Sequence, residues 1–236
     1  MVISTSESAR PSIEVDIWTD VVCPWCYIGK RRFERAGEIY GGPLEVRFRS
    51  FELNPERPRN LEQTLPEMLA AKYRVSLDQA MAMNQRVTDA AAGEGLDFRL
   101  DLARPANTFD AHRLIHLARA HESKGAQGLQ SQMVERLKSA YFLEGKRIDD
   151  RSALLDLGAE VGLDRDEAAA VLESDRYESE VRADEESARQ LDIHGVPFFV
   201  IDGRYGISGA QDPELIARVL ARAAAGSQTS CVGGRE

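Results

Sequence analysis

Ile13-Glu14-Val15-Asp16-Ile17-Trp18 alternates apolar and charged residues up to its last pair, and the chain then runs into Cys23-Pro24-Trp25-Cys26. A period of two reads as a strand, here Ile13 to Val22. Pro24 falls where a helix best tolerates proline, at its first position, because that N–H has no intrahelical partner. The helix is expected to run to about Tyr40, where Gly41-Gly42-Pro43 stops it. Leu44, Val46 and Phe48 then alternate with Glu45, Arg47 and Arg49, which reads as a second strand from Leu44 to Phe51. The opening order is therefore strand, Cys-x-x-Cys, helix, strand.

That placement carries chemistry. Two cysteines separated by two residues can close a reducible disulfide. At a helix start the first thiol faces unpaired N–H groups and the positive end of the helix dipole, which favour thiolate, the form that attacks disulfides. Cys23 is the expected nucleophile. A helix terminus contributes ~0.3–1 kcal/mol, up to ~2 when partly buried, and one pKa unit is ~1.4 kcal/mol, so the dipole alone lowers a thiol by about one unit. Cys26, three residues on, is expected to be less exposed and to act as the resolving thiol. Pro24 and Trp25, between them, are expected to touch substrate.

The rest of the composition fits a globular protein. The chain has 236 residues, 43% of them hydrophobic, and a formal net charge of -9. Such an acidic chain is a poor partner for nucleic acid or an anionic membrane surface. No apolar run approaches the ~20 residues of a transmembrane helix. Met1 to Ser12 is polar and lacks the apolar stretch of a signal peptide, so a cytoplasmic location is expected. Cys23, Cys26 and Cys231 are too few for a disulfide scaffold. In a reducing compartment such a pair is catalytic or metal-binding more often than structural. A closed zinc site needs four ligands, and only His112 and His116, one helical turn apart, offer to complete one; redox chemistry is preferred and no metal or cofactor is expected.

From Asn54 to about Gln190 the punctuation is helical. Thr64 and Ser76 are candidate N-caps, Asn107-Thr108 opens another helix, and Ser152 and Asp164 start shorter ones. Leu129, Met133, Leu137 and Tyr141 recur every four residues as a buried stripe. A helix near Tyr177 to Leu191 is charged on one face. Strand signal returns at Val196-Pro197-Phe198-Phe199-Val200-Ile201, Asp202-Gly203 marks a hairpin turn into Arg204 to Ser208, and Asp212-Pro213 starts a last helix to about Ala224. Residues 13–54 plus 191–225 are expected to form one unit, 55–190 a helical insertion, and 1–12 and 226–236 flexible tails.

This order resembles the thioredoxin fold with a helical insertion, an α/β class, as in the DsbA family. Within it the chain resembles the FrnE-like branch, near 2-hydroxychromene-2-carboxylate isomerases and kappa-class glutathione transferases. The resemblance rests on Thr19 to Gly29, Asn107-Thr108 with Ala111-His112-Arg113-Leu114, Tyr141-Phe142 with Glu144-Gly145, Gly195-Val196-Pro197 and Gly209-Ala210-Gln211. It implies a thiol–disulfide oxidoreductase or isomerase acting on protein or small-molecule thiols and disulfides, glutathione among them. The other reading is a glutathione-dependent isomerase or transferase, in a polyketide tailoring role; those enzymes carry serine where this chain has Cys23. The DsbA type carries histidine between its cysteines, and Trp25 cannot become cationic, so a milder couple is expected.

Several further residues are candidates. Local sequence leaves Pro197 open between a strand-start proline and a cis proline; the resemblance implies cis, beside the thiols, with Val196 backbone groups free to pair with substrate. Asp20 is expected to move a proton or to cap its loop. His112 either faces the groove or packs the insertion on the core, the latter preferred. His194 offers a cation near the thiols. Lys30 reads as solvated, Met68, Met81 and Met83 as packing, and Cys231 as an incidental thiol. No pattern encodes an oligomeric state.

Overall fold

A computed structural model describes residues 12–122, 124, 125 and 128–230. Four strands, β1 (Ile13–Thr19), β2 (Leu44–Ser50), β3 (Phe198–Ile201) and β4 (Tyr205–Ser208), form one mixed sheet in the order β2-β1-β3-β4. β1 pairs parallel with β2 and antiparallel with β3, and β3 antiparallel with β4. The parallel pair needs a crossover, and helix α1 (Pro24–Tyr40) supplies it. Between β2 and β3 come α2 (Leu65–Tyr73), α3 (Leu77–Ala92), α4 (Phe109–Glu122), α5 (Leu129–Phe142), α6 (Arg151–Glu160), α7 (Arg165–Glu173) and α8 (Glu178–Gln190); α9 (Pro213–Ser230) closes the chain. The fold is thus α/β with a large helical insertion, as expected. Among the described residues no helix is long and apolar enough to cross a membrane.

The alternation in β1 breaks at Ile17-Trp18 because both sheet faces are buried there. Ile13, Val15 and Ile17 join the main core with α1 and α9, whereas Trp18 packs with Ala188 and Ile193. The Trp18 indole N–H donates to the Asp184 carbonyl at 2.9 Å. The main core runs without a break from β1 into the insertion. Tyr27 of α1 meets Phe98 and Phe142, whose rings stack 4.6 Å apart. Glu135 of α5 fastens the same two parts: it accepts from Tyr27 Oη at 2.6 Å, from Lys30 Nζ at 2.8 Å and from Arg31. Lys30 is therefore buried and ion-paired rather than solvated.

Several boundaries differ from the sequence reading. β1 stops at Thr19, leaving 20–22 as a loop that sets the cysteines at the mouth of α1. Helix α6 starts at Arg151, since the Asp150 carboxylate caps it by accepting from the Ala153 amide at 2.8 Å; Ser152 lies inside the helix. Helix α9 continues past Ala224 to Ser230. No proline stops it, a lone glycine costs only ~1 kcal/mol relative to alanine, and Arg204 donates to the Ala223 carbonyl at 3.2 Å beside Gly226. The expected tail at 226–230 is thus helical, and 231–236, with Cys231, lie outside the described residues, as does Met1 to Pro11.

Candidate active site

Cys23 is the N-cap residue of α1 and Cys26 lies in its first turn, because Pro24 at the first helical position sets the break between loop and helix. Both are free thiols, 5% and 2% exposed. The Val196–Pro197 peptide is cis, and the Val196 carbonyl accepts from Cys23 Sγ at 3.5 Å. Pro197 is buried against α1. It comes that close because residue 29 is glycine: a Cβ there would stand 2.9 Å from Pro197 Cγ. The Val196–Pro197 segment that leads into β3, with Val196 173 positions from Cys23, thus forms one wall of the thiol site.

The electrostatics centre on Cys26. Burial opposes its ionisation, yet the Cys23 thiol, Lys138, the Thr19 hydroxyl and the Asp20 amide together bring it down to about 7. Cys23 is pushed up, first because its S–H bonds the Cys26 sulfur and then by burial and repulsion. Lys138 and the Cys26 amide pull the other way without prevailing. The expectation that first-turn amides lie within reach of the Cys23 sulfur is corrected: its side chain makes no capping hydrogen bond. The pair titrates as a unit with one shared proton, so a proton passing from Cys23 to Cys26 transfers the negative charge to Cys23.

The cation beside this pair is Lys138 of α5, which is 0% exposed. Its Nζ donates to the Asp20 carbonyl at 2.6 Å, and the Cys23 amide donates to the same oxygen at 3.3 Å. It forms no ion pair among the described residues, so the thiol pair is the anionic group it serves. A buried ammonium is costly unless compensated. The sequence reading missed it. The signal was a second four-residue stripe on α5, Val134, Lys138 and Phe142, running beside the apolar one.

Asp20 and His112 join the core to the insertion, 3.3 Å apart and both buried. Burial resists the Asp20 charge, but His112, the Leu53 amide at 2.8 Å and Thr108 hold the carboxyl below its ordinary range. His112 Nε2 is turned to Asp20, and His116 Nε2 to Ser50 and Asp184 at 3.1 Å. His194 is elsewhere: its side chain is 82% exposed and bonded to Asp192 at 2.8 Å. Proximity to Pro197 in sequence does not bring it to the thiols: the ring is turned outward, hydrogen-bonded to the exposed Asp192.

Cys23, Pro24, Trp25 and Val196 open onto a cavity of about 350 Å³. Trp25 is 43% exposed at its edge. Helices α2 and α3 form its roof, and Met68 and Met83 line it, while Met81 is exposed. These methionines were expected to fill a core; Met68 and Met83 instead face a void over the cysteines. Cys26 does not line the cavity, so Cys23 is the sulfur within reach of a substrate.

A family model, the DSBA-like thioredoxin domain, matches residues 14–221. The chain belongs to that family. A solved structure of a probable DsbA oxidoreductase, SCO1869 from Streptomyces coelicolor, is 39% identical and superposes with a TM-score of 0.81 over 95% of this chain and 92% of that one. The uncharacterized protein YwbO of Bacillus subtilis strain 168 is 28% identical over 221 residues, 89% of this chain and 96% of its own. A 2-hydroxychromene-2-carboxylate isomerase shares the fold at 18% identity, with a TM-score of 0.64 over 94% of this chain and 100% of that one. As a DSBA-like protein, the chain carries thiol–disulfide chemistry in general, on a thioredoxin fold with a helical insertion.

Proposed function

We propose that this protein is a dithiol–disulfide oxidoreductase of the FrnE-like branch in which Cys23 attacks and Cys26 resolves. The observation that carries the reading is the pairing of one cavity-facing sulfur with a second, charge-stabilised sulfur behind it. In the reducing direction Cys23 passes its proton to the Cys26 thiolate and attacks one sulfur of the substrate disulfide. The first substrate thiolate leaves and takes up a proton. Cys26, returned to thiolate beside Lys138, then attacks Cys23 Sγ, closing the Cys23–Cys26 disulfide and expelling the second thiol. The substrate gains two electrons and the dithiol loses two. The reverse sequence oxidises a dithiol, and the poise of the compartment decides the direction.

Val196, Pro197, Pro24 and Trp25 form the substrate wall in this reading, and Asp20 with His112 holds the loop before Cys23. Insulin reduction by the wild-type protein, measured beside chromene isomerisation, tests it. Reduction without isomerisation is expected. Isomerisation that survives Cys26→Ser, with no disulfide reduction, would establish the glutathione-dependent isomerase instead; the small cavity and the shared isomerase fold are what favour that second reading.

A further inference from the structure

We infer that the cavity beside Cys23 takes a small disulfide with an apolar body and a carboxylate, and that Arg57 and Lys72 are its anion contacts. The inference rests on the oxidoreductase reading above, since it names the substrate that Cys23 attacks.

Three observations converge on it. First, the roof is apolar but incompletely covered. Leu65, Met68 and Leu69 of α2 face the cavity with Met83 and Val87 of α3, yet α2 buries no residue fully. Apolar side chains held around a void recover their burial when an apolar body fills it. About 350 Å³ holds a small molecule, not a folded partner.

Second, the charges lining the cavity are unbalanced. In a chain of net charge -9, most arginines are ion-paired, Arg31, Arg49, Arg113 and Arg136 among them. Arg57 and Lys72 are among the residues that line the cavity and have no carboxylate partner among the described residues; the Lys72 ammonium lies over the Tyr73 ring, 5.7 Å from its centre. The carboxylate in the lining, Asp20, is already engaged by Leu53 and His112. An incoming anion therefore meets two cations and no competing free acid.

Third, Tyr141 is 1% exposed and lines the cavity, and its hydroxyl has no hydrogen-bond partner among the described residues. A buried phenol in that position offers a donor to a ligand oxygen. Burial disfavours its ionisation and pushes its pKa up, so it remains a donor. A wholly polar disulfide such as glutathione disulfide would leave polar groups unpaired against the roof, whereas an aromatic carboxylate matches both walls.

The exchange needs no added co-reactant in a single turnover. The pre-reduced pair supplies two electrons, its one shared proton and a second proton from solvent go to the departing sulfurs, and one substrate disulfide becomes two thiols. Dithiobis(nitrobenzoate) serves as the anionic aromatic probe and dithiodipyridine as the uncharged one, with each rate divided by that of free dithiothreitol. Wild type should favour the anionic probe, and should reduce glutathione disulfide more slowly than it. In Arg57→Gln the anionic-to-neutral ratio should fall about tenfold, the worth of one charge-assisted hydrogen bond. It should fall in the same sense in Lys72→Gln and be largely kept in Arg57→Lys. A ratio unchanged in both glutamine variants, or insulin reduced faster than either probe, overturns the inference and leaves the oxidoreductase reading in place. A wild-type protein that reduces neither probe overturns that reading itself.

Discussion

Lys138 Nζ and the Cys23 amide donate to one oxygen, the carbonyl of Asp20, at 2.6 Å and 3.3 Å. A residue of the helical insertion thereby touches the turn that carries the cysteines. Replacing Lys138 with methionine keeps the stem and removes the charge. The midpoint of thiolate absorbance should rise by about one unit or more. Each unit is ~1.4 kcal/mol of lost thiolate stabilisation, so the couple should become ~30 mV less oxidising per unit. Loss of packing alone would lower the melting temperature without moving either quantity.

The same pair sets a pH dependence. Its first ionisation is held at about 7, mainly by the Cys23 thiol and Lys138 working against burial. The rate of disulfide reduction by the reduced protein should climb as pH rises through that value and level off above it. A rate still climbing at its full slope up to pH ~9, near the ordinary thiol range, would count against a stabilised thiolate.

Trp25 occupies the position where a cationic residue would add to this effect. Trp25→His should lower the thiolate midpoint and make the couple more oxidising, because imidazolium favours the charged sulfur. In the wild type, a midpoint near or below ~4 would sink the argument that indole leaves the pair mild.

Much of this site was legible in the chain. Pro24 fixed the helix start, and with it the different positions of Cys23 and Cys26; Gly195-Val196-Pro197 marked the wall that faces Cys23. Lys138 was not read, since a lysine inside a helix is normally solvated and only packing against a distant loop shows otherwise. The cavity roof escaped for the same reason: Met68 and Met83 have the spacing of core residues whether they meet side chains or a void. Lys30 looked solvated until Glu135, 105 positions later, was brought beside it. His194 failed in the other direction, being adjacent in sequence but turned outward to Asp192.

Gly29 lets Pro197 approach α1, with a built Cβ meeting Pro197 Cγ at 2.9 Å. Gly29→Ala should displace the Val196–Pro197 wall and cost ~1–3 kcal/mol by overpacking. Denaturant unfolding measures the cost, and thiol exchange should slow with it. Stability equal to wild type with unchanged exchange would show that the wall tolerates displacement.

Glu135 joins α1 to α5, and although burial opposes its ionisation, Arg31, Lys30 and Tyr27 hold its pKa at about 2. A depressed carboxyl stabilises the fold above its unfolded value of ~4.3 and loses that contribution as pH falls towards the folded value. Glu135→Gln should therefore unfold more easily than wild type at neutral pH, with the gap closing between pH ~4 and ~2. A gap that stays constant with pH would assign the loss to packing rather than to charge.

The most direct test of the central claim is to trap the intermediate. Cys26→Ser is mixed with an excess of a small disulfide, and the product is read by intact mass and peptide mapping. A stable adduct of one substrate half on Cys23, formed faster than on a free thiol and not released, is the predicted result. Absence of an adduct on Cys23, or undiminished turnover by Cys26→Ser, would contradict the two-thiol mechanism.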